Sequence, residues 1–307
     1  DWTVNPFKPA IKKNHLIGRG ANDMKASVAC FVAAVSKFRS KKFKGSISLL
    51  ITGDEEGIAI NGTKKVVERL KRKGEKINFC IVGEPTSMQV ITGHKGKRSY
   101  NVHVHGFEAH SSLAPTGVNA IEFAARFIAR LRSIAERIQA EGPFDDLYDV
   151  SHTTVHTGVI SGGTQLNIVP KDCKFEFEFR YIGGEDPLTL EEEIRAFARG
   201  ELEPSMQAIQ PSTGIDIDLV NDMPGLEMDV DEEVVTFVKA LAGRNDHAKV
   251  AFGTEAGLFK ERAGIPTVVC GPGSIDQAHK PNEFIALEQV KAGEAFLERL
   301  MDRICVN

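Results

Sequence analysis

The sequence predicts an α/β fold, a mainly parallel sheet sandwiched by helices, with a smaller α+β domain inserted into it. Three observations carry this. Continuous apolar runs, SISLLIT at 46–52 and INFCIVG at 77–83, alternate with helical patterns in the first hundred residues. Strands buried on both faces read this way because helices cover both sides of a parallel sheet. The same grammar returns after about residue 230, whereas between 97 and 220 apolar and polar residues alternate strictly, the mark of strands with one wet face.

Taken in order, DMKASVACFVAAVSKF (23–38) spaces Met24, Val28, Phe31, Val32, Val35 and Phe38 as one helical face. SISLLIT follows as a buried strand, NGTKKVVERLKRKG (61–74) as a surface helix, and INFCIVG as a second buried strand. In the middle, SYNVHVHG, TTVHTGVI, CKFEFEFRY and GIDIDLV are half-buried strands, interleaved with the amphipathic helices NAIEFAARFIARLRSIAERI and TLEEEIRAFARGEL. The resulting order, β-α-β-β-α-β, is the ferredoxin-like unit. It places an inserted domain at 97–220 within a larger domain made of 1–96 and 221–307. Late in the chain, DEEVVTFVKALAG and LEQVKAGEAFLERLMDRI read as helices flanking the strands AKVAFG and AGIPTVVCG.

Bulk composition excludes several classes of function. With 38 Lys and Arg against 42 Asp and Glu, the net charge of -4 offers no footprint for nucleic acid or an anionic membrane. No apolar run approaches the ~18 residues that span a bilayer. The opening DWTVNPFKPAIKKNH has neither the basic nor the apolar region of a signal peptide. The five cysteines are scattered and never form CxxC, so they read as small core residues of a reducing, cytoplasmic environment.

Chemistry collects where strands end. In open α/β sheets ligands bind beyond the carboxyl ends of the strands. After SISLLIT come Asp54, Glu55 and Glu56, and after INFCIVG comes Glu84. GTEAG, with Glu255, follows one late strand, and GPGSIDQAHKP, with His279, follows another. Asp23 stands between the Gly-rich turn GRGAN and the first helix, where a helix cap is the plain alternative. Carboxylates and an imidazole converging on one rim repel unless a cation holds them. Oxygen and nitrogen donors without thiolate suit Zn²⁺, with Co²⁺ or Mn²⁺ as substitutes, and their number suggests two ions. Adjacent Glu55 and Glu56 point apart from an extended loop, so one would ligate while the other faces the attacking water as general base.

GRGANDMK, TGDEEG, VGEPT and GPGSIDQAHKP, in this order and spacing, resemble the dinuclear zinc aminoacylase/carboxypeptidase family, and the resemblance covers essentially the whole chain. That family includes acetylornithine deacetylases, succinyl-diaminopimelate desuccinylases and carboxypeptidase G2-like enzymes. GTEAGLF and GPGSIDQAHKPNEF look most like the acetylornithine deacetylases, which implies release of acetate and ornithine in arginine biosynthesis. Another N-acyl amino acid or a dipeptide is the alternative substrate. The resemblance implies that Asp23 bridges the metals, that Glu84 serves the first, and that Glu56 and His279 serve the second. It makes Glu55 the general base and gives Asp54 no catalytic role. It further implies that His110 helps stabilise the oxyanion in the partner subunit of a homodimer built through the inserted domain. Asn167, Arg180, Gly253 and Thr254 are the implied substrate contacts. His103 and His105, on the polar face of one strand, read as structural or exposed.

One departure stands out. The family's first metal also takes a His from a His-x-Asp segment upstream of DWTVNPF, and no His-x-Asp occurs in this chain. The expectation is either a shortened piece of a longer protein or a variant with an incomplete first site. A catalytically incomplete fragment or a dimerising binding module is therefore the rival reading. His15, on a peripheral hairpin, is a poor substitute.

Overall fold

The computed structural model describes residues 1–39, 42–43, 45–57 and 59–306. Contacts divide the chain into two units, Asp1–His94 with Leu226–Asn307, and Lys95–Gly225. In the first unit the chain forms β1 (Ala10–Lys12), β2 (His15–Ile17), α1 (Ala26–Arg39), β3 (Lys42–Phe43), α2 (Thr63–Lys73), β4 (Cys80–Val82) and β5 (Val90–His94). The second unit holds β6 (Gly96–His105), α3 (Ala120–Glu141), β7 (Thr154–Gly162), β8 (Asp172–Tyr181), α4 (Pro187–Phe197), α5 (Glu203–Gln207) and β9 (Gly214–Met223). The chain then completes the first unit with β10 (Leu226–Glu227), α6 (Glu233–Ala242), β11 (His247–Val250), β12 (Thr267–Val269), β13 (Phe284–Ala286), α7 (Leu287–Ile304) and β14 (Cys305–Val306).

The main sheet of the first unit runs β10-β5-β12-β4, with β11 also paired to β5. It is mixed rather than mainly parallel: β12–β4 and β11–β5 are parallel, whereas β10–β5 and β12–β5 are antiparallel. The run 46–52 corrects a second expectation. SISLLIT forms no strand, and Ile47, Leu49, Leu50 and Ile51 are exposed. An apolar run becomes a strand only where neighbours satisfy its backbone groups, and no described strand pairs with it.

The face of α1 is corrected too. Val32 and Val35 lie exposed, and the buried stripe is Ala26, Cys30, Ala34 and Phe38. Small side chains win this face because they let α7 approach: a Cβ on Gly293 of α7 would stand 3.3 Å from Cys30 Sγ. Three of the free cysteines, Cys30, Cys173 and Cys270, are buried. No helix among the described residues is long and apolar enough to cross a membrane.

The second unit has the strand order β7-β8-β6-β9, every pairing antiparallel. Alternation sorts its residues. Tyr100, Val102 and Val104 of β6 and Phe175, Phe177 and Phe179 of β8 are buried against Ala124, Phe127, Leu131 and Ile134 of α3. Tyr100 stacks on Phe177 at 4.8 Å between ring centroids. Asn119 caps α3 by accepting from the amides of Ile121 and Glu122.

Arg98 is among the buried charges of this unit. Arg98, 7% exposed, pairs with Glu191 and, at 3.3 Å, with Asp222, while Arg195 also binds Glu191 at 2.7 Å. Arg98→Ala leaves partly buried acids short of a partner, and we expect it to cost about 3 kcal/mol in urea unfolding. A change below ~0.5 kcal/mol would show that Arg195 compensates fully.

A candidate metal-binding active site

The site is built on loops of the first unit. Glu84 follows β4 by two residues, and GPGS follows β12, the strand paired parallel to it. Glycine permits their close approach: a Cβ on Gly271 would collide with the carbonyl of Gly83. Gly273, at φ +94°, makes room in the same way for the side chain of buried Asn22, whose Nδ2 donates to Ser274 O at 2.9 Å. β11 runs with β5, so Glu255 reaches the cluster from the loop after it rather than from the common rim.

Asp23 interrupts the wide helical turn Ala21–Lys25 with φ -116° and ψ 93°. What fixes this turn is Glu283, a residue the sequence reading passed over. Its carboxylate is 1% exposed and accepts from the amides of Gly20 (2.8 Å), Asn22 (2.8 Å) and Asp23 (3.0 Å), and from Arg19 Nη1 at 3.1 Å. Glu283 directly precedes β13, which pairs with β2, and its carbonyl accepts from Gly18 at 3.0 Å. Its place in the sequence, one acid before a short strand inside GPGSIDQAHKPNEF, gives no distinctive signal.

His279 holds a φ of 57°, a region that non-glycine residues rarely occupy. Its Nε2 lies 3.2 Å from Asp23 Oδ2 and 3.0 Å from Glu56 Oε2. One ligand atom from each of Asp23, Glu56 and His279 falls within 4.8 Å of the others. Glu84 joins by a side-chain hydrogen bond with Asp23. Asp54 turns into its own loop instead, accepting from Asn61 N at 2.7 Å. Glu255 is held by Thr52 at 3.0 Å and by buried Thr63. His94, fully buried on β5, accepts from Gly257 N at 3.2 Å and so anchors the GTEAG loop. Thr52, Thr63 and His94 were also passed over, and a single buried hydroxyl or imidazole leaves no pattern in a sequence.

The remaining expected contacts are placed as follows. Thr254 is buried and its Oγ1 accepts from Ala256 N, next to half-buried Gly253. In the second unit, exposed His110 caps the short turn Ser111–Thr116 through Nδ1 and is bridged to Ile168, which brings Asn167 alongside. Arg180 lies on the polar side of β8 and donates to Glu178 at 2.9 Å. His15 sits on the β1–β2 hairpin with its ring edge on Phe284.

The acids of the cluster repel one another. Burial first, then Glu255, Glu56 and Asp23, push the Glu55 carboxyl up to about 7, with His279 opposing. Burial, then Glu55 and Asp23, hold Glu84 well above the carboxylate range. Asp23 is raised by burial and then by Glu56. Such a set calls for a cation, and its oxygen-rich, thiolate-free donors fit a divalent metal.

A pH dependence follows. Each raised group binds its proton more tightly folded than unfolded. The metal-free protein therefore has this stability in full below about pH 4.5 and loses it as pH rises through about 7. Glu55 alone contributes up to about 3 kcal/mol. Urea unfolding with chelator should weaken from about pH 5 to about pH 8, and saturating divalent metal should remove that slope. A flat chelated profile would mean that the acids do not face one another.

An α/β scaffold presenting this carboxylate–imidazole cluster defines a metal-dependent hydrolase. The chain belongs to peptidase family M20/M25/M40, whose model matches residues 1–303. It is 34% identical over 307 residues to acetylornithine deacetylase of Myxococcus xanthus, covering 99% of this chain and 76% of that one. It is 56% identical over 190 residues to succinyl-diaminopimelate desuccinylase of Pelagibacter ubique, a match covering 59% of this chain and 47% of that enzyme. In fold it resembles aminopeptidase PepT from Bacillus cereus (TM-score 0.72, 23% identity, 95% of this chain and 76% of that one). It also resembles the metallo-carboxypeptidase Sso-CP2 from Sulfolobus solfataricus (TM-score 0.68, 19% identity, 97% and 80%).

Proposed function

We propose that this chain carries the metal-dependent amide-hydrolysing centre of an enzyme that deacylates N-acyl amino acids, with N-acetylornithine the leading substrate. The observation that carries the reading is the convergence of Asp23, Glu56 and His279 beside a half-buried Glu55 whose carboxyl is raised toward neutrality.

Asp23, Glu56, Glu84 and His279 would hold divalent metal, zinc in the first instance. When bound, that metal supplies Lewis-acid polarisation of the scissile carbonyl and acidifies the attacking water. Glu55 then takes a proton from the water as the new C–O bond forms. It delivers that proton to the departing nitrogen as the C–N bond breaks, leaving acetate and the free amino acid. A glutamate carboxylate placed there can accept and return one proton at neutral pH. His110, Asn167 and Arg180 of the second unit, with Gly253 and Thr254 of the first, are proposed substrate contacts on family resemblance, as is a homodimer.

A second reading has a specific observation behind it, the 56% identity to a succinyl-diaminopimelate desuccinylase over part of the chain. Turnover of N-acetylornithine, N-acetylcitrulline and N-succinyl-diaminopimelate with Zn²⁺ or Co²⁺ separates the two. Preference for the acetylated amino acids supports the leading reading, and preference for the succinylated diamine replaces it. No hydrolysis with the Asp23 site fully loaded with metal would sink both.

A further inference from the structure

The second unit carries another cluster of metal-ligating groups, and it shares no residue with the Asp23 site. His103 and His105 stand two apart on β6, on the side of the sheet opposite the core, with ring centroids 3.7 Å apart. Register sets their partners. His105 faces Asp172 of β8, and His103 faces Asp216 of β9. The rings cross over: His103 Nε2 is 2.9 Å from Asp172 Oδ1, and His105 Nε2 is 2.7 Å from Asp216 Oδ2. Ligand atoms of His103, His105 and Asp172 all lie within 4.8 Å of one another.

We propose that this open face is a binding site for one divalent transition-metal ion of the zinc type, ligated by His103, His105 and Asp172, with Asp216 orienting the His105 ring. In the metal-free protein the His103–Asp172 contact is bridged by a proton, and a metal takes the place of that proton. Ligands ~2.0–2.1 Å from a tetrahedral ion stand about 3.3 Å apart, so the 2.9 Å His103–Asp172 contact needs to open by only about 0.4 Å. Two imidazole nitrogens favour Zn²⁺, Co²⁺, Ni²⁺ or Cu²⁺ over Mg²⁺ and Ca²⁺, which prefer all-oxygen sites. A pair at i and i+2 on a strand is held by a backbone that two neighbouring strands already fix, so little side-chain order is lost on binding. The ion would tie β6 to β8.

The test must keep the two clusters apart. In a Glu56→Gln/His279→Ala background, which removes two members of the Asp23 trio, equilibrium dialysis should still give one Zn²⁺ or Co²⁺ per chain that depends on the second unit. Adding His103→Gln and His105→Gln should weaken that binding at least ~100-fold, since loss of an outer partner alone costs about 10–100-fold. Retention of the ion after this change, or no ion bound at roughly 0.1 mM free metal, overturns the proposal. A second measurement needs no variant to fold. Zn²⁺ added to the unaltered chain beyond what fills the Asp23 site, to roughly 0.1 mM free metal, should shift the ring resonances of both His103 and His105, and unshifted rings at that concentration would equally overturn it.

Discussion

Glu55→Gln should lower kcat for amide hydrolysis by at least about 10³-fold while leaving bound metal unchanged. The amide keeps the size of the side chain and removes its ability to take and return a proton. Glu55 is half-buried beside Glu255, Glu56 and Asp23, and the Asp23–Glu56–His279 trio of ligand atoms does not include it. His279→Ala should do the opposite, releasing metal and activity together, because Nε2 is the only nitrogen of that trio. Elemental analysis alongside turnover decides the matter. If Glu55→Gln loses its metal as well, the division of labour between the adjacent glutamates is wrong.

Glu283→Ala should destabilise the first unit by about 3–5 kcal/mol, the range for stripping one partner from a buried ionic network. Three backbone amides and Arg19 lose at once an acceptor that is itself only 1% exposed. Metal affinity should fall by about 10–100-fold, since the turn that presents Asp23 loses its anchor. Glu283→Gln should fall between, as one carbonyl oxygen still accepts while the amide NH₂ meets donors. Thermal unfolding with chelator reports the first effect and metal titration the second. An Ala variant with an unchanged melting temperature but weakened metal binding would make Glu283 an electrostatic partner of the site rather than the anchor of its turn.

Glu55 and Glu283 differ sharply in how visible they are in the sequence. Glu55, Glu56, Asp23, Glu84 and His279 stood out as candidates because acids and a histidine follow glycine-flanked segment ends, and the structure brings Asp23, Glu56 and His279 together. Glu283 did not stand out, because its work is done on amides more than 250 residues away and one glutamate before a strand looks ordinary. The antiparallel strands β6, β8 and β9 were legible from period-two alternation, since one face is buried and one is wet. SISLLIT misled for the converse reason. Its composition suits a covered strand, but the ladder and the cover must come from other segments, and here Ile47, Leu49, Leu50 and Ile51 stay exposed.

His103 and His105 mark the same boundary from the other side. Their spacing placed them on the polar face of one strand, which is as far as a one-dimensional pattern reaches. Only the register of β8 and β9 against β6 delivered Asp172 and Asp216 to their rings. By itself the sequence determined local periodicity, the order of elements and the residue types that cluster at loop ends, because these depend on near neighbours in the chain. Tertiary structure alone decided the mixed sheet, the bare run at 46–51, the anchoring by Glu283 and the crossed histidine–aspartate pairs. Each depends on which distant backbone comes alongside, and that is a property of packing rather than of any segment.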